Sequence, residues 1–349
     1  MRFGLMFGCQ TLPGAEASLD QPYRDMLDCL PEAEALGYAS VFMPSHHAQP
    51  DGWCPSPLLG LAAAAAVTER MRLGTAVLLL PLYAPVKLAE DVTVLDNLSG
   101  GRVVLGVAPG YVSDEFALHN VPRAERNGRF EEAVDILEAA LSGEEFAFDG
   151  RYFHVPATRL TPPPVQRPHP PIWYGVSGER ALRRAARRGC VVVGSPRHNL
   201  DELREHRRTY ESEARAVGFE IPERPLVREV FVAETMSEAV RVAGPGIEHQ
   251  FRELYGAKSQ QGERMLRTDA GTAVADKQEV DLDAIRSRLI VGDPEHAIAQ
   301  LRQLEAQLGI TETICWMHLP GVDRDRAMAS VRLFAEEVMP AFSDMGGST

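Results

Sequence analysis

The sequence predicts a (β/α)8 barrel, a single α/β domain in which eight buried strands alternate with eight helices. Three observations carry this. The chain has 349 residues, enough for a barrel of about 250 residues plus insertions. Short apolar runs rich in β-branched residues recur along it, and such runs read as parallel strands covered on both faces. Between them lie amphipathic stretches of helical period, bounded by glycine or proline. A doubly wound open sheet needs the same alternation, but no G-x-G-x-x-G follows the first strand, which counts against a dinucleotide-binding sheet.

RFGLMFG is the first strand, and a helix over Asp20–Leu36 ends at Gly37. ASVFMP is the second strand, with Ser45, His46 and His47 just past its end; the loop DGWCPSP then leads to a helix over Leu58–Thr68. LGTAVLLL is the third strand, its exit punctuated by Pro81 and Pro85. In VKLAEDVTVLDNL, Val86, Leu88, Ala89, Val92, Leu95 and Leu98 share one broad helical face. Ser99-Gly100-Gly101 stops that helix, because glycine readily takes the left-handed C-terminal conformation. VVLGVA is the fourth strand and turns at Pro109-Gly110-Tyr111. Asn127–Leu141 is an amphipathic helix, and FAFDGRYFHV reads as a hairpin turning on Asp149-Gly150, a decoration before strand five.

The proline-dense TPPPVQRPHPPIW must run extended and delivers IWYGV, the fifth strand. Glu179–Arg188 is a helix, CVVVG the sixth strand, Leu200–Val217 a helix and LVREVFVA the seventh strand. Ser237–Tyr255 reads helical, but Gly256–Asp283 is polar, glycine-bearing and aperiodic. An irregular stretch of that length inside a compact domain reads as a functional lid or as a disordered segment, and a lid is expected. Pro294–Leu308 is the next helix, TETICWMH the eighth strand and Arg324–Val338 the last helix. The domain is expected over 1–342, with 343–349 as a flexible tail.

The formal net charge is −13 and the pI about 5.3. An acidic chain repels nucleic acid and anionic membranes before contact, so neither is expected as a partner. Cys9, Cys29, Cys54, Cys190 and Cys315 are scattered without a C-x-x-C pair, which argues against a disulfide framework or structural zinc. MRFGLMFG reads as a strand rather than a signal peptide. Ala62–Val67 is far shorter than the roughly 20 apolar residues of a membrane span. The expectation is a cytoplasmic protein.

In such a barrel the C-terminal ends of all strands face one mouth, where ligands bind. Phe7 and Gly8 stand there after the first strand, His46 and His47 after the second, and Ala76 and Val77 in the third. Ala108, Gly110 and Tyr111 follow at the fourth, Val176, Ser177 and Gly178 at the fifth, and Ser195, Phe231 and His318 at the last three. Two adjacent histidines and few carboxylates are a poor inventory for glycosidase chemistry, which needs two facing acids. They are equally poor for a metal site, and none is expected. Histidine moves protons near neutral pH; the plainer reading is a pair of loop histidines satisfied by backbone groups. Ser177-Gly178-Glu179 can offer backbone N–H groups at a helix start, which suits an anion. Arg180, Arg183 and Arg184 could add charge, though a solvated basic helix face also accounts for them. Tyr111, Phe7, Trp173, Trp316 and Met317 could line an apolar substrate cavity, with the two tryptophans, inside strands, read mostly as core.

GTAVLLLP, PVKLAED and LDNLSGGRVVLGVAPG, in that order, resemble the signature of the bacterial luciferase-like flavin oxidoreductases. The similarity continues in EAEALGYASVFMPSHH, PHPPIWYGVSGERALRRAARRG, VGDPEHAIAQLRQLEAQLGITE and LFAEEVMPAF, covering nearly the whole chain. It implies a barrel that uses reduced flavin (FMNH2) or the related deazaflavin F420. It implies His46 as a catalytic base near the flavin and His47 as a residue that tunes the site. Ala76-Val77 would form a non-prolyl cis peptide under the flavin ring, with Ala108 beside it. Gly110, Tyr111, Val176, Ser177, Gly178 and Ser195 would complete the cofactor site.

The chain departs from this pattern at several positions. Ser45 stands where many relatives carry glutamate, and Pro109 where luciferases carry an arginine. Ser177, Gly178 and Ala181 replace an acid, a serine and a threonine, and Ala108 replaces a reactive cysteine. The implied activity is that of a flavin-dependent monooxygenase. FMNH2 from a separate flavin reductase would react with O2 to a C4a-(hydro)peroxyflavin that oxygenates a small organic substrate, in a homodimer. One alternative is an F420-dependent oxidoreductase that transfers hydride on the same barrel; another is a flavin-binding barrel without catalysis.

Overall fold

In a computed structural model, which describes residues 1–14, 18–256, 266–269, 271–272, 274 and 280–343, the apolar runs become strands and the amphipathic stretches helices. In chain order these are β1 (Arg2–Phe7), α1 (Gln21–Ala35), β2 (Ser40–Met43), α2 (Pro57–Val67), β3 (Arg72–Thr75), β4 (Leu78–Leu79), α3 (Pro85–Ser99), β5 (Val103–Ala108), α4 (Ser113–Leu118) and α5 (Arg126–Leu141). Then follow β6 (Phe146–Asp149), β7 (His154–Thr158), β8 (Ile172–Tyr174), α6 (Glu179–Arg187), β9 (Val191–Val192) and α7 (Leu200–Val217). The last elements are β10 (Pro225–Val232), α8 (Met236–Gln250), β11 (Ile290–Gly292), α9 (Pro294–Leu308), β12 (Glu312–His318) and α10 (Arg324–Leu333).

The main sheet is parallel throughout, in the order β11-β10-β12-β1-β2-β3-β5-β8-β9, with β4 added on β5. It curls until its two ends approach. A bridge joins Gly194, just after β9, to Leu226 of β10. The Gly194 N–H donates to the Pro225 carbonyl at 2.9 Å, and the Val227 N–H to the Gly194 carbonyl at 3.0 Å.

Strand periodicity sorts side chains between two cores. On β10, Leu226, Val230 and Val232 join the cluster under the helices, while Val227 and Phe231 join the cluster on the concave side. Cys315 and Met317 against Ile314 and Trp316 do the same on β12. At the N-terminal end of the strands the concave side is closed by ions. Arg2 and Arg72 both meet Glu223, at 2.6 and 2.9 Å, and Glu312, at 3.2 and 3.1 Å. The Trp173 indole N–H donates to Glu223 at 2.9 Å.

Most expected elements appear close to their expected bounds. The hairpin pairs β6 with β7 antiparallel, Asp149 opposite His154, and α3 ends on Gly100 in the left-handed region at φ 68°. The third strand is interrupted: β3 and β4 are separated by Ala76 and Val77, whose peptide bond is cis. The expected strand CVVVG is present but shortened to the two residues of β9, and two further elements, β11 and the six-residue α4, are too short for periodicity to show. The helix expected over Ser237–Tyr255 is α8 followed by a π-helical turn over Phe251–Gly256. Of the expected lid, residues 257–265, 270, 273 and 275–279 lie outside the described residues, as do 344–349 of the expected tail. All five cysteines are free and buried. Among the described residues no helix is long and apolar enough to cross a membrane.

Candidate active site

A cavity of about 860 Å³ opens at the C-terminal ends of the strands, within the range that takes up a cofactor-sized ligand. Its wall is the broken third strand. Ala76, Val77 and Ala108 line it. Two glycines let the neighbouring strands close up behind them. A Cβ on Gly106 would lie 2.0 Å from the Thr75 carbonyl oxygen, and one on Gly175 would lie 2.9 Å from Val77 Cγ1. The result is a wall of small side chains. The Val77 carbonyl accepts the Ser45 N–H at 3.2 Å, which ties the wall to the histidine loop.

His46 lines the same cavity from the loop after β2. Its ring stands edge-on to Trp53 at 4.6 Å and to Tyr111 at 6.0 Å. Its Nδ1 lies 2.8 Å from Glu115 Oε1, and that oxygen also accepts the His47 N–H at 2.9 Å. Glu115 sits in the first turn of α4 and is buried. A carboxylate accepting at Nδ1 fixes the proton there and leaves the Nε2 lone pair as the base. Trp53 is held from behind. Asp51 accepts the Trp53 N–H at 3.3 Å and Gln10 Nε2 at 2.8 Å, and faces His249 Nε2 at 3.1 Å.

His47 is placed differently. It is buried but does not line the cavity; its Nε2 lies 3.4 Å from Ser45 Oγ and its ring meets His119 at 4.4 Å. Burial, with His119 adding to it, lowers the His47 pKa.

The far end of the cavity is cationic. Arg126, Arg180, Arg184 and Arg197 line it, against Glu131 and Glu179. Helix α6 begins at Gly178 with no side-chain cap, and Gly178, Glu179 and Arg180 line the cavity, so the helix start faces it. Such a start favours an anion through its N–H groups and dipole. Ser177 Oγ accepts from Arg197 at 2.8 Å. Arg184 pairs with Glu131, whereas Arg183 turns to Glu179 and Glu213, both at 2.9 Å, and does not line the cavity.

Gly110, Tyr111, Val176, Ser177, Gly178 and Ser195 all line the cavity; of the aromatic candidates only Tyr111 and Trp316 do. Pro109 lines it where the resemblance implies an arginine, and the cations come instead from α5, α6 and the loop after β9. A flat wall of small residues leading to a cationic end fits a planar ring bearing a phosphate. Sequence reasoning passed over Glu115, Arg126, Asn127 and Arg197. The one available signal was the Asp114-Glu115 pair after the Gly110-Tyr111 turn, an acidic start to a short helix.

A family model described as luciferase-like monooxygenase matches residues 1–312. The oxygenase component of the flavin-dependent trigonelline monooxygenase of Acinetobacter baylyi is 28% identical, over 99% of this chain and 96% of that one. The crystal structure of monooxygenase RslO1 from Streptomyces bottropensis superposes with a TM-score of 0.86 at 27% identity, covering 98% of this chain and all of the other. The FMN complex of the oxygenating constituent of 3,6-diketocamphane monooxygenase, from the CAM plasmid of Pseudomonas putida, shares the fold with a TM-score of 0.80 at 24% identity over 97% and 98% of the two chains. An F420-dependent secondary alcohol dehydrogenase also shares it, with a TM-score of 0.76 at 17% identity over 98% and 99%.

Proposed function

The chain belongs to the luciferase-like monooxygenase family, and from that membership we propose that it is the oxygenase component of a two-component flavin-dependent monooxygenase. It takes reduced FMN from a separate flavin reductase and uses O2 to oxygenate a small organic substrate. The observation that carries this reading is one cavity joining a small-residue wall, a carboxylate-held histidine and a cationic end. The curled sheet, with Gly194 bridged to Leu226, is read as a closed (β/α)8 barrel.

Ala76, Val77 and Ala108 would hold the flavin ring. Ser177, the start of α6, Arg180 and Arg197 would hold the phosphate. Bound and reduced, flavin supplies the activation of O2. The chain's own residues do the rest. His46, its Nδ1 bonded to Glu115, takes or returns a proton at Nε2. Trp53, Tyr111 and Trp316 exclude water and present the substrate to the ring. His47 acts at one remove, its backbone N–H sharing the Glu115 oxygen that orients His46.

A homodimer is part of the proposal. Helices α2 and α3 expose Leu59 (75%), Val94 (50%) and Leu98 (67%), an apolar face that a second copy would cover.

Pro109 leaves room for F420 and hydride transfer as the second reading. Anaerobic titration with FMNH2 and with reduced F420 decides between them. The monooxygenase reading expects FMNH2 to bind, followed by O2 uptake that is coupled to substrate oxidation. Binding of reduced F420 alone replaces it with the second reading, and binding of neither removes both.

A further inference from the structure

The loop between β9 and α7 brings Ser195, Arg197 and His198 to the cationic end of the cavity. Its carbonyls point at two buried guanidiniums. Arg228, on β10, donates from Nη1 to the Ser195 carbonyl at 3.2 Å and from Nη2 to the His198 carbonyl at 3.1 Å. Arg288 donates from Nε to the Arg197 carbonyl at 2.8 Å. Arg228 and Arg288 are 1% and 0% exposed. Three carbonyls of one short loop are thus bound by side chains that the proton-transfer chemistry does not use.

The two arginines differ in how their charge is balanced. Arg288 meets Asp269 at 2.6 Å and Glu202 at 3.9 Å, and also donates to the Arg267 carbonyl. Arg228 has no carboxylate within ion-pair distance among the described residues; Glu229 projects to the other face of β10. Burial lowers the Arg228 pKa to about 10, so it remains charged at neutral pH. Its direct partners are carbonyl dipoles, with Glu229 and Asp269 attracting it from beyond ion-pair distance; burying a cation so is unfavourable, and an anion bound beyond the loop would help to relieve it.

We propose that Arg228 and Arg288 are positioning residues for the anionic end of the cofactor, two buried guanidiniums that fix the loop after β9 and so set Arg197 where a phosphate binds. Arg228 spans two carbonyls with two separate N–H groups, a geometry that a lysine ammonium does not reproduce. Arg288 extends the same hold to residues 267–269, so that this segment and the phosphate loop order together. The proposal rests on the flavin reading above, and its test uses a pair of ligands that differ only in the phosphate.

FMN and riboflavin are titrated in the dark into the full chain and followed by flavin fluorescence. The wild-type chain is expected to favour FMN. In Arg228→Lys, Arg228→Gln and Arg288→Lys, FMN affinity should fall about 10-fold or more, the scale of a charge-assisted hydrogen bond. Riboflavin affinity should stay within about twofold, because the ring site is untouched. Combining Arg197→Gln with Arg228→Lys should weaken FMN little beyond the worse single variant, since both act through one contact. Equal weakening of FMN and riboflavin, or no change in either, overturns the proposal while leaving the flavin reading intact. A wild-type chain that binds neither flavin, oxidised or reduced under anaerobic conditions, removes the flavin reading itself. If Arg228→Gln does not fold, the two lysine variants, which keep the charge, carry the same comparison.

Discussion

Glu229 is the group whose replacement the structure predicts most sharply. It lies on β10 in register with Trp316, between Val227 and Phe231 on the concave face. The side chain is fully buried, and neither carboxyl oxygen has a hydrogen-bond partner. Burial pushes its pKa from 4.5 up to about 7, against the smaller opposing pull of its own backbone N–H and of Arg228 and Arg288. The sign follows from proton counting. Between pH 4.5 and 7 the folded chain keeps a proton that the unfolded chain has lost, so unfolding free energy falls as pH rises through that window. At 1.36 kcal/mol per pH unit the full effect is about 3 kcal/mol. Glu229→Gln keeps the shape and removes the ionisation. Urea unfolding followed by circular dichroism from pH 5 to pH 8 should show the variant gaining about 2–3 kcal/mol on the wild type across the range. Other titrating groups cancel in that difference. A difference that does not change with pH would mean that Glu229 is ionised and paired in the folded chain, and the reasoning would be refuted.

Three further outcomes follow. His46→Ala should lower turnover about 10²–10⁴-fold, the usual loss of one general acid–base group, with the circular dichroism spectrum unchanged; wild-type rates would return His46 to a plain loop residue. Glu115→Gln should lower kcat and alter the pH–rate profile while leaving flavin affinity near wild type, because it changes only the acceptor shared by His46 Nδ1 and the His47 N–H; an unaltered profile would remove Glu115 from the chemistry. Leu59→Glu and Leu98→Glu should convert a dimer to a monomer in sedimentation velocity runs, whereas an unchanged sedimentation coefficient would place any dimer contact elsewhere.

The parts of this molecule that were legible in the sequence are those governed by local patterning. Continuous apolar runs such as VVLGVA and ICWM declare buried strands, and a strand end declares which loop faces the mouth. That is why the sequence alone puts Tyr111, Ser177 and Ser195 at one mouth. The third strand shows the limit: LGTAVLLL reads as unbroken, and only the family resemblance suggested a change at Ala76-Val77. Glu115 lies 69 residues from His46, on a helix too short to show a period, so nothing local pairs them. Arg228-Glu229 looks like any polar interruption of a strand. That one side chain holds a loop while the other is stranded in the concave core depends on which face each occupies and what covers it. Arg180, Arg183 and Arg184 are equivalent in composition, yet the turn of α6 sends two to the cavity and one to Glu213.

The two ends of the sheet show what the charges are for. At the N-terminal end Arg2 and Arg72 are balanced by Glu223 and Glu312 within the protein, and the network needs nothing further. At the C-terminal end Arg126, Arg180, Arg184 and Arg197 line the cavity together with Glu131 and Glu179, so among the described lining residues arginines outnumber carboxylates, and Arg228 is buried behind them. A chain of formal charge −13 repels anions at long range, and beyond a Debye length of about 8 Å that repulsion is screened in physiological salt. Local excess positive charge at one cavity end therefore decides whether an anion enters, because a low-dielectric cleft focuses the field of the charges that line it. The arginine surplus is confined to the place where the fold also supplies a helix start and a wall of small residues. It is this coincidence, rather than any single residue, that makes the cavity fit a phosphorylated planar cofactor.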